Sequence, residues 1–123
     1  MALKSLTPIL TTDKMERSIG FFVDVLGFTC GKQTRDYANL YRDSVRIILT
    51  GPNEHEEWDV AKFTGQLYIE MESATEVDAL WAKVKDIAEV IYALDDFHYG
   101  AHEFGIRDIN GYPLAFGAPS RKA

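Results

Sequence analysis

The sequence has one cysteine, a shortage of basic residues and no long apolar run, and each of these excludes a class of protein. Cys30 has no partner for an internal disulfide, which is typical of a reducing compartment, and we expect a cytoplasmic protein. No stretch approaches the roughly 18 apolar residues that a membrane-spanning helix needs. Residues 1–6 lack the apolar segment of a signal peptide, so we expect no membrane partner and no secretion signal.

The charge balance argues against a nucleic-acid partner. The chain has 13 Lys and Arg against 19 Asp and Glu, for a net charge of −6, whereas binding to a phosphate backbone needs a basic face. An acidic surface favours cationic small molecules, although a charge of this size also serves ordinary solubility. No nucleophile elbow, phosphate loop or CxxC motif is present, so the sequence assigns no catalytic residue.

The composition is that of one small globular domain. At 123 residues the chain is too short for two ordinary domains, and its 46% hydrophobic content is enough to fill a core. We therefore predict a single domain over residues 1–123.

The first half reads as strand, helix and three strands. An edge strand is predicted over Lys4–Leu10, and Asp13 with Glu16 three residues later predicts a capped helix that ends at Gly27. The three predicted strands that follow are Phe28–Lys32, Tyr37–Arg42 and Val45–Thr50.

The second half repeats this order after a polar loop over residues 53–65. Ser73 and Glu76 predict a second helix, with an apolar stripe that runs from Val77 to Ile87. The predicted strands are Gln66–Glu72, Val90–Leu94, Phe104–Arg107 and Pro113–Phe116, the last two joined by a turn at Asp108–Gly111. The pattern indicates an α+β fold of two βαβββ modules, at about 1–52 and 66–118, with a tail over 119–123.

Several segments resemble the vicinal oxygen chelate superfamily, which includes glyoxalase I, extradiol dioxygenases and bleomycin resistance proteins. The segments are Ile9–Asp13, Arg17-Ser18, Phe21-Phe22, Val25–Phe28, Val77–Trp81 and Gly100–Tyr112. The resemblance covers nearly the whole chain and implies two modules whose curled mixed sheets surround a cavity. It also implies a homodimer, since small members often complete their cavities across two chains.

Metal-dependent members of that superfamily place one ligand on each of four strands, usually His, Gln or Glu. Counted from the shared segments, the matching positions are Leu6, Ile48, Gln66 and Ala115. Three of these have no donor atom, and a shift of one residue in either direction gives no better set. The resemblance therefore points to the metal-free, bleomycin-resistance-like members, with no metal and no cofactor.

A cavity lined by aromatic and polar side chains is the predicted ligand site. Strand alternation places Tyr68 and Glu70 on the same face as Gln66, and Glu70 is a candidate contact for a cationic ligand. Alternatively, the aromatic residues belong to the core, and Glu70 faces solvent or pairs with Arg46. The predicted ligand-binding residues are Tyr41, Arg46, Ile48, Trp58, Gln66, Tyr68, Glu70, Phe97, Tyr99, Glu103 and Ala115.

Two further clusters have both a functional and a structural interpretation. His98, His102 and Glu103 are predicted to lie in a loop before the last hairpin. There they form an alternative metal site, contact the ligand, or have only a structural or surface role in the loop. The loop with His55, Glu56 and Glu57 is either a solvated acidic segment or a gate, with Trp58 as its lid residue.

Three functional hypotheses follow. The first is a binding protein that sequesters an aromatic or cationic compound, in the manner of bleomycin resistance proteins. The second is a lyase, isomerase or dioxygenase that uses a metal-free or noncanonical site. The third is a structural or regulatory dimer with a collapsed cavity.

Overall fold

Two four-stranded mixed sheets, each with helical segments, form the architecture of this protein. The structure is a computed structural model that describes residues 1–55 and 57–121. The chain divides into two compact units, Met1–Asp59 and Val60 onward, and the boundary falls within the predicted linker. The prediction of an α+β fold with two βαβββ modules is confirmed.

The first unit contains a sheet with strand order β1-β4-β3-β2, in which β1 runs parallel to β4 and the other pairs are antiparallel. Its elements are β1 (Ile9–Thr11), α1 (Met15–Gly20), a π-helix (Phe21–Val25), β2 (Thr29–Thr34), β3 (Tyr37–Arg42) and β4 (Val45–Thr50). The bounds of β3 and β4 match the prediction. Side chains alternate between the two faces along both strands, so Leu40, Ile47 and Leu49 point into the core.

The start of the first unit differs from the prediction. The strand begins at Ile9 rather than Lys4, and Leu6 lies outside it with 85% of its surface exposed. Asp13 does not cap α1, because the Lys14 N–H donates to Thr12 Oγ1 at 3.0 Å and the Asp13 carboxylate instead pairs with the Lys14 ammonium. The threonine hydroxyl is buried close to the backbone of the turn, whereas the aspartate side chain extends toward solvent.

The second unit contains a sheet with strand order β5-β8-β7-β6, again with one parallel pair, β5 and β8. Its elements are β5 (Leu67–Glu70), α2 (Ala74–Val84), β6 (Glu89–Asp96), β7 (Ala101–Arg107) and β8 (Pro113–Pro119). Ser73 caps α2 as predicted, since its Oγ accepts the Glu76 N–H at 3.3 Å.

One face of the second sheet is covered by α2. Val77, Leu80 and Val84 are buried, and the Trp81 ring centroid lies 5.1 Å from that of Phe104 on β7. Ile87 does not belong to this apolar stripe, because the helix ends at Val84 and Ile87 is 61% exposed.

The hairpin between β7 and β8 is built on Asp108. Its Oδ1 accepts the N–H groups of Asn110 and Tyr112, and Gly111 takes a φ of 91° that closes the turn. Both strands are longer than predicted, so His102 and Glu103 lie within β7 and not in a loop. Within the two described ranges, no helix has the length and apolar character to span a bilayer.

Candidate functional site

The face of the second sheet opposite α2, which we call the open face, carries a row of paired residues across all four strands. Residues alternate between faces along a strand, and because Phe104 contacts α2, its neighbours Glu103 and Gly105 point to the open face. Ladder pairing joins the row as Tyr68 to Ala115, Ala115 to Gly105 and Gly105 to Tyr92.

Two glycines of the open face make room for two tyrosines. A Cβ on Gly105 would overlap the ring of Tyr92. A Cβ on Gly117 would overlap the Tyr68 hydroxyl and would lie 2.8 Å from the Glu103 Cβ. The tyrosine side chains therefore lie close against the strands instead of standing away from the sheet.

These side chains form a shallow pocket of about 360 Å³, lined by Gln66, Tyr68, Tyr92, Phe97, Tyr99 and Glu103. Phe97 lies between two of the rings, edge-on to Tyr92 at a centroid distance of 5.6 Å and stacked on Tyr99 at 5.7 Å. The β6–β7 turn supplies Phe97 and Tyr99, the strands supply Tyr68, Tyr92 and Glu103, and Gln66 lies immediately before β5.

A chain of hydrogen bonds runs from the rim of the pocket to its buried carboxylate. Gln66 Nε2 donates to the Tyr92 hydroxyl at 3.0 Å, and that hydroxyl donates to Glu103 Oε2 at 2.6 Å. Glu103 is only 3% exposed, and its Oε1 is buried without a hydrogen-bond partner among the described residues. Such a group has lost water on one oxygen and gained nothing in exchange, which costs free energy unless a ligand supplies a donor.

The Glu103 carboxylate dominates the electrostatics of the pocket. Burial raises the pKa of Tyr92, and donation to Glu103 raises it further. The pKa values of Tyr68 and Tyr99 are also raised, in both cases first by desolvation and then by Glu103. All three phenols therefore remain protonated donors at neutral pH.

Five of the predicted site residues are brought together in this pocket: Gln66, Tyr68, Phe97, Tyr99 and Glu103. Sequence reasoning missed Tyr92. A signal was present, because Gly105 lies inside a predicted strand, and a glycine there often marks the close approach of another group.

The remaining predicted residues lie outside the pocket. Glu70 is exposed on the open face, and Ala115, although it belongs to the row on that face, is fully buried and does not line the pocket. Trp58 is half-buried in a loop of the first unit, and its Nε1 has no partner within residues 1–55 and 57–121. Glu56, one of the three residues of the predicted acidic loop cluster, lies outside the described residues.

Three predicted residues belong to the sheet of the first unit. Tyr41, Arg46 and Ile48 lie on the face opposite the buried Leu40, and the Arg46 Nε donates to Asn39 Oδ1 at 2.6 Å. They are placed on one surface of that unit, and their contact with a ligand stays a prediction.

His98, His102 and Glu103 do not converge. His102 and Glu103 are consecutive in β7 and therefore face opposite sides of the sheet, and His98 is exposed in the β6–β7 turn. The His102 imidazole lies between Asp78 Oδ1, 2.6 Å from Nε2, and Asp96 Oδ1, 3.0 Å from Nδ1. Of the three alternatives left open for these residues, a shared metal site is therefore the one that this arrangement excludes.

The four positions that match the family's metal site do not fit a divalent cation. Leu6 lies just before β1, Gln66 just before β5, and Ile48 and Ala115 lie within β4 and β8. Leu6, Ile48 and Ala115 have hydrocarbon side chains without a donor atom, which leaves Gln66 alone to bind a metal. No group of three His, Cys, Asp or Glu side chains suited to a metal occurs in the described part of the chain.

Comparison with solved structures shows what this architecture is similar to. A bleomycin-binding protein from Streptomyces verticillus, solved with copper(II)-bleomycin, is 22% identical with a TM-score of 0.70, covering 98% of this chain and 99% of that one. A lactoylglutathione lyase from Agrobacterium tumefaciens is 18% identical with a TM-score of 0.74, covering 96% of each chain. A glyoxalase/bleomycin resistance protein/dioxygenase from Nocardioides is 18% identical with a TM-score of 0.75, covering 100% of this chain and 88% of that one.

These identities establish the fold and not an activity, and a comparison with curated protein sequences found no significant match. The sequence itself matches a family model over residues 4–116. This chain belongs to the Glyoxalase/Bleomycin resistance protein/Dioxygenase superfamily.

Proposed function

We propose that this protein binds a small aromatic or cationic organic compound in the pocket of the second unit, without the metal that many members of its superfamily use. The observation that carries the proposal is Glu103, a carboxylate that is 3% exposed and has one unpartnered oxygen in a pocket with four aromatic rings. Ligand sites typically combine apolar walls with a few polar groups that fix orientation.

Sequestration is the form of binding that the lining residues favour. The pocket has no cysteine, serine or histidine to act as a nucleophile, and the family's metal positions have no adequate set of donors. The structural neighbour from Streptomyces verticillus binds bleomycin, and we extend a role of that kind to this chain as part of the proposal.

A second candidate is an enzyme with metal-free lyase or isomerase chemistry. One feature favours it: Tyr92 holds Glu103 Oε2 at 2.6 Å and leaves Oε1 free, which is a suitable arrangement for a general base that removes a proton from a bound substrate. Turnover of any compound that binds, abolished in Glu103→Gln, would establish this alternative over sequestration.

The homodimer and the cytoplasmic location predicted from the sequence remain part of the proposal. Sedimentation equilibrium of the purified protein tests the first, since a mass of twice the chain's 13.9 kDa is expected. Cell fractionation tests the second.

Calorimetric titration tests the binding role. A panel of bleomycin, arylalkylamines and neutral aromatic compounds should include at least one that binds. Phe97→Ala, which removes a ring of the pocket, should weaken that binding by about 1–2 kcal/mol, or roughly tenfold. Phe63→Ala, which removes an exposed ring outside the pocket, is the matched control and should leave the affinity unchanged.

Elemental analysis completes the test. The proposal predicts less than stoichiometric Zn, Ni, Fe or Mn in purified protein. A stoichiometric metal, or a full panel without binding, would overturn it.

A further inference from the structure

The charge of the pocket is unbalanced. Glu103 contributes a carboxylate, and none of the other five lining residues is cationic. Glu70 adds a second negative charge on the open face, where its charge and that of Glu103 both raise the pKa of Tyr68. A buried carboxylate without a counter-charge favours a ligand that brings a positive charge and disfavours an anionic ligand.

The unpartnered oxygen adds a second requirement. Oε2 already accepts the Tyr92 proton at 2.6 Å, but Oε1 is buried and accepts nothing from the described residues. A carboxylate oxygen is satisfied by an N–H or O–H donor, and a charged N–H donor gives the strongest hydrogen bond of this type. A quaternary ammonium brings the charge without the donor.

The aromatic rings suit the same class of ligand. Phe97 and Tyr99 are stacked with an interplanar angle of 13°, and Tyr92 meets Phe97 edge-on at 88°. Ring faces attract cations, and the apolar rings shield the carboxylate from water, which strengthens its pairing with a cation.

We infer that the pocket selects an organic cation that carries an N–H group, a protonated amine, whose nitrogen donates to Glu103 Oε1 while its carbon skeleton packs against the rings of Phe97 and Tyr99. This inference rests on the proposed function and narrows it. It decides between an aromatic and a cationic ligand, and it separates amines that have an N–H from those that have none.

A series of four probes of similar shape tests the inference by calorimetry at pH 7. The probes are 2-phenylethylamine, its N,N-dimethyl derivative, its N,N,N-trimethyl derivative and 2-phenylethanol. Both amines are protonated at this pH. The dimethyl and trimethyl compounds nearly match in bulk and charge, but only the dimethyl compound has an N–H.

The two protonated amines should bind about tenfold or more tightly than the trimethyl compound and the alcohol, since each hydrogen bond to a charged group contributes on this scale. Glu103→Gln keeps the side-chain length and removes the charge, and it should abolish the preference. Glu72→Gln, an exposed carboxylate outside the pocket, makes the same charge change and should retain the preference.

Other results overturn the inference in distinguishable ways. Equal affinity for the dimethyl and trimethyl compounds would show that Oε1 receives no N–H, and tighter binding of the alcohol would show that the pocket does not select charge. In both cases the proposed binding function would stand. If none of the four probes binds, the inference fails, and if the wider panel also fails to bind, the proposed function fails with it. Should Glu103→Gln not fold, the four probes on the unmodified protein still decide the question.

Discussion

Tyr92 lies against Gly105, its partner across the ladder between β6 and β7, and a Cβ at residue 105 would overlap the tyrosine ring. This contact holds the Tyr92 hydroxyl 2.6 Å from Glu103 Oε2, so one glycine determines the position of the hydrogen bond on which the pocket depends.

Gly105→Ala tests this relationship. The new methyl group must displace the Tyr92 ring. Because overpacking a filled site is destabilising, we expect the free energy of unfolding to fall by about 1–3 kcal/mol. Urea denaturation measures the loss. Gly20→Ala is the control, because the nearest atom to its Cβ would be 3.8 Å away and alanine favours helix, so this variant should be unchanged or stabilised by about 0.5–1 kcal/mol. An unchanged Gly105→Ala would show that the ring position is not fixed by the glycine.

Tyr92→Phe tests the hydrogen bond itself. Removal of the hydroxyl takes away the donor to Oε2, so that neither oxygen of the buried carboxylate keeps a hydrogen-bond partner among the described residues. We therefore expect a loss of about 1–3 kcal/mol in the free energy of unfolding. Tyr41→Phe, at a tyrosine that is 42% exposed, should change stability by less than about 0.5 kcal/mol. Equal effects of the two variants would contradict the role assigned to Tyr92.

The His102 cluster predicts a pH dependence of stability. Hydrogen bonds to Asp78 and Asp96 raise the pKa of His102 above 6.5, so the folded protein favours the imidazolium. The stabilisation is fully present below pH 6.5 and is lost as the pH rises through the raised pKa of the folded state. The free energy of unfolding, measured by denaturation at a series of pH values from 6 to 9, should therefore fall as the pH rises.

His102→Gln should flatten this profile, and His55→Gln, at an exposed histidine, should retain it. At the acidic end the pKa of Asp78 is lowered by His102 and Arg121, so its contribution disappears as the pH falls below 3.8. If the His102→Gln variant still lost the same amount of stability between pH 6 and 9, the pH dependence would have to arise from another group.

The starts of the two helices predict different losses of stability for similar substitutions. Ser73→Ala removes the acceptor for the Glu76 N–H and should cost about 1 kcal/mol. Asp13→Ala removes a side chain that caps nothing and forms only an exposed ion pair with Lys14, so it should cost less than about 0.5 kcal/mol. Thermal denaturation distinguishes the two variants. A larger loss of stability in Asp13→Ala than in Ser73→Ala would show that Asp13 caps α1, as the sequence predicted.

Local patterns predicted the regular elements well where the residues themselves supply the signal. The alternation in β3 and β4 and the hydroxyl of Ser73 act over a few residues, so they can be recognised without knowing the rest of the chain. The ends of β1, β7 and β8 were predicted poorly, because a strand continues for as long as its neighbour offers partners. His102 pairs with Ala118, and the two predicted strands had stopped short of both residues.

The sequence by itself determined the fold, since caps, turns and alternation repeat in both halves, and its resemblance to the superfamily predicted a cavity whose lining includes Gln66, Tyr68, Phe97, Tyr99 and Glu103. Only the tertiary structure decided which of two consecutive residues, His102 or Glu103, faces the pocket and which is held by aspartates under α2. It also revealed Tyr92 as the donor to Glu103. The physical reason is that the direction of a side chain depends on strand register, and register is set by hydrogen bonds between residues far apart in the sequence.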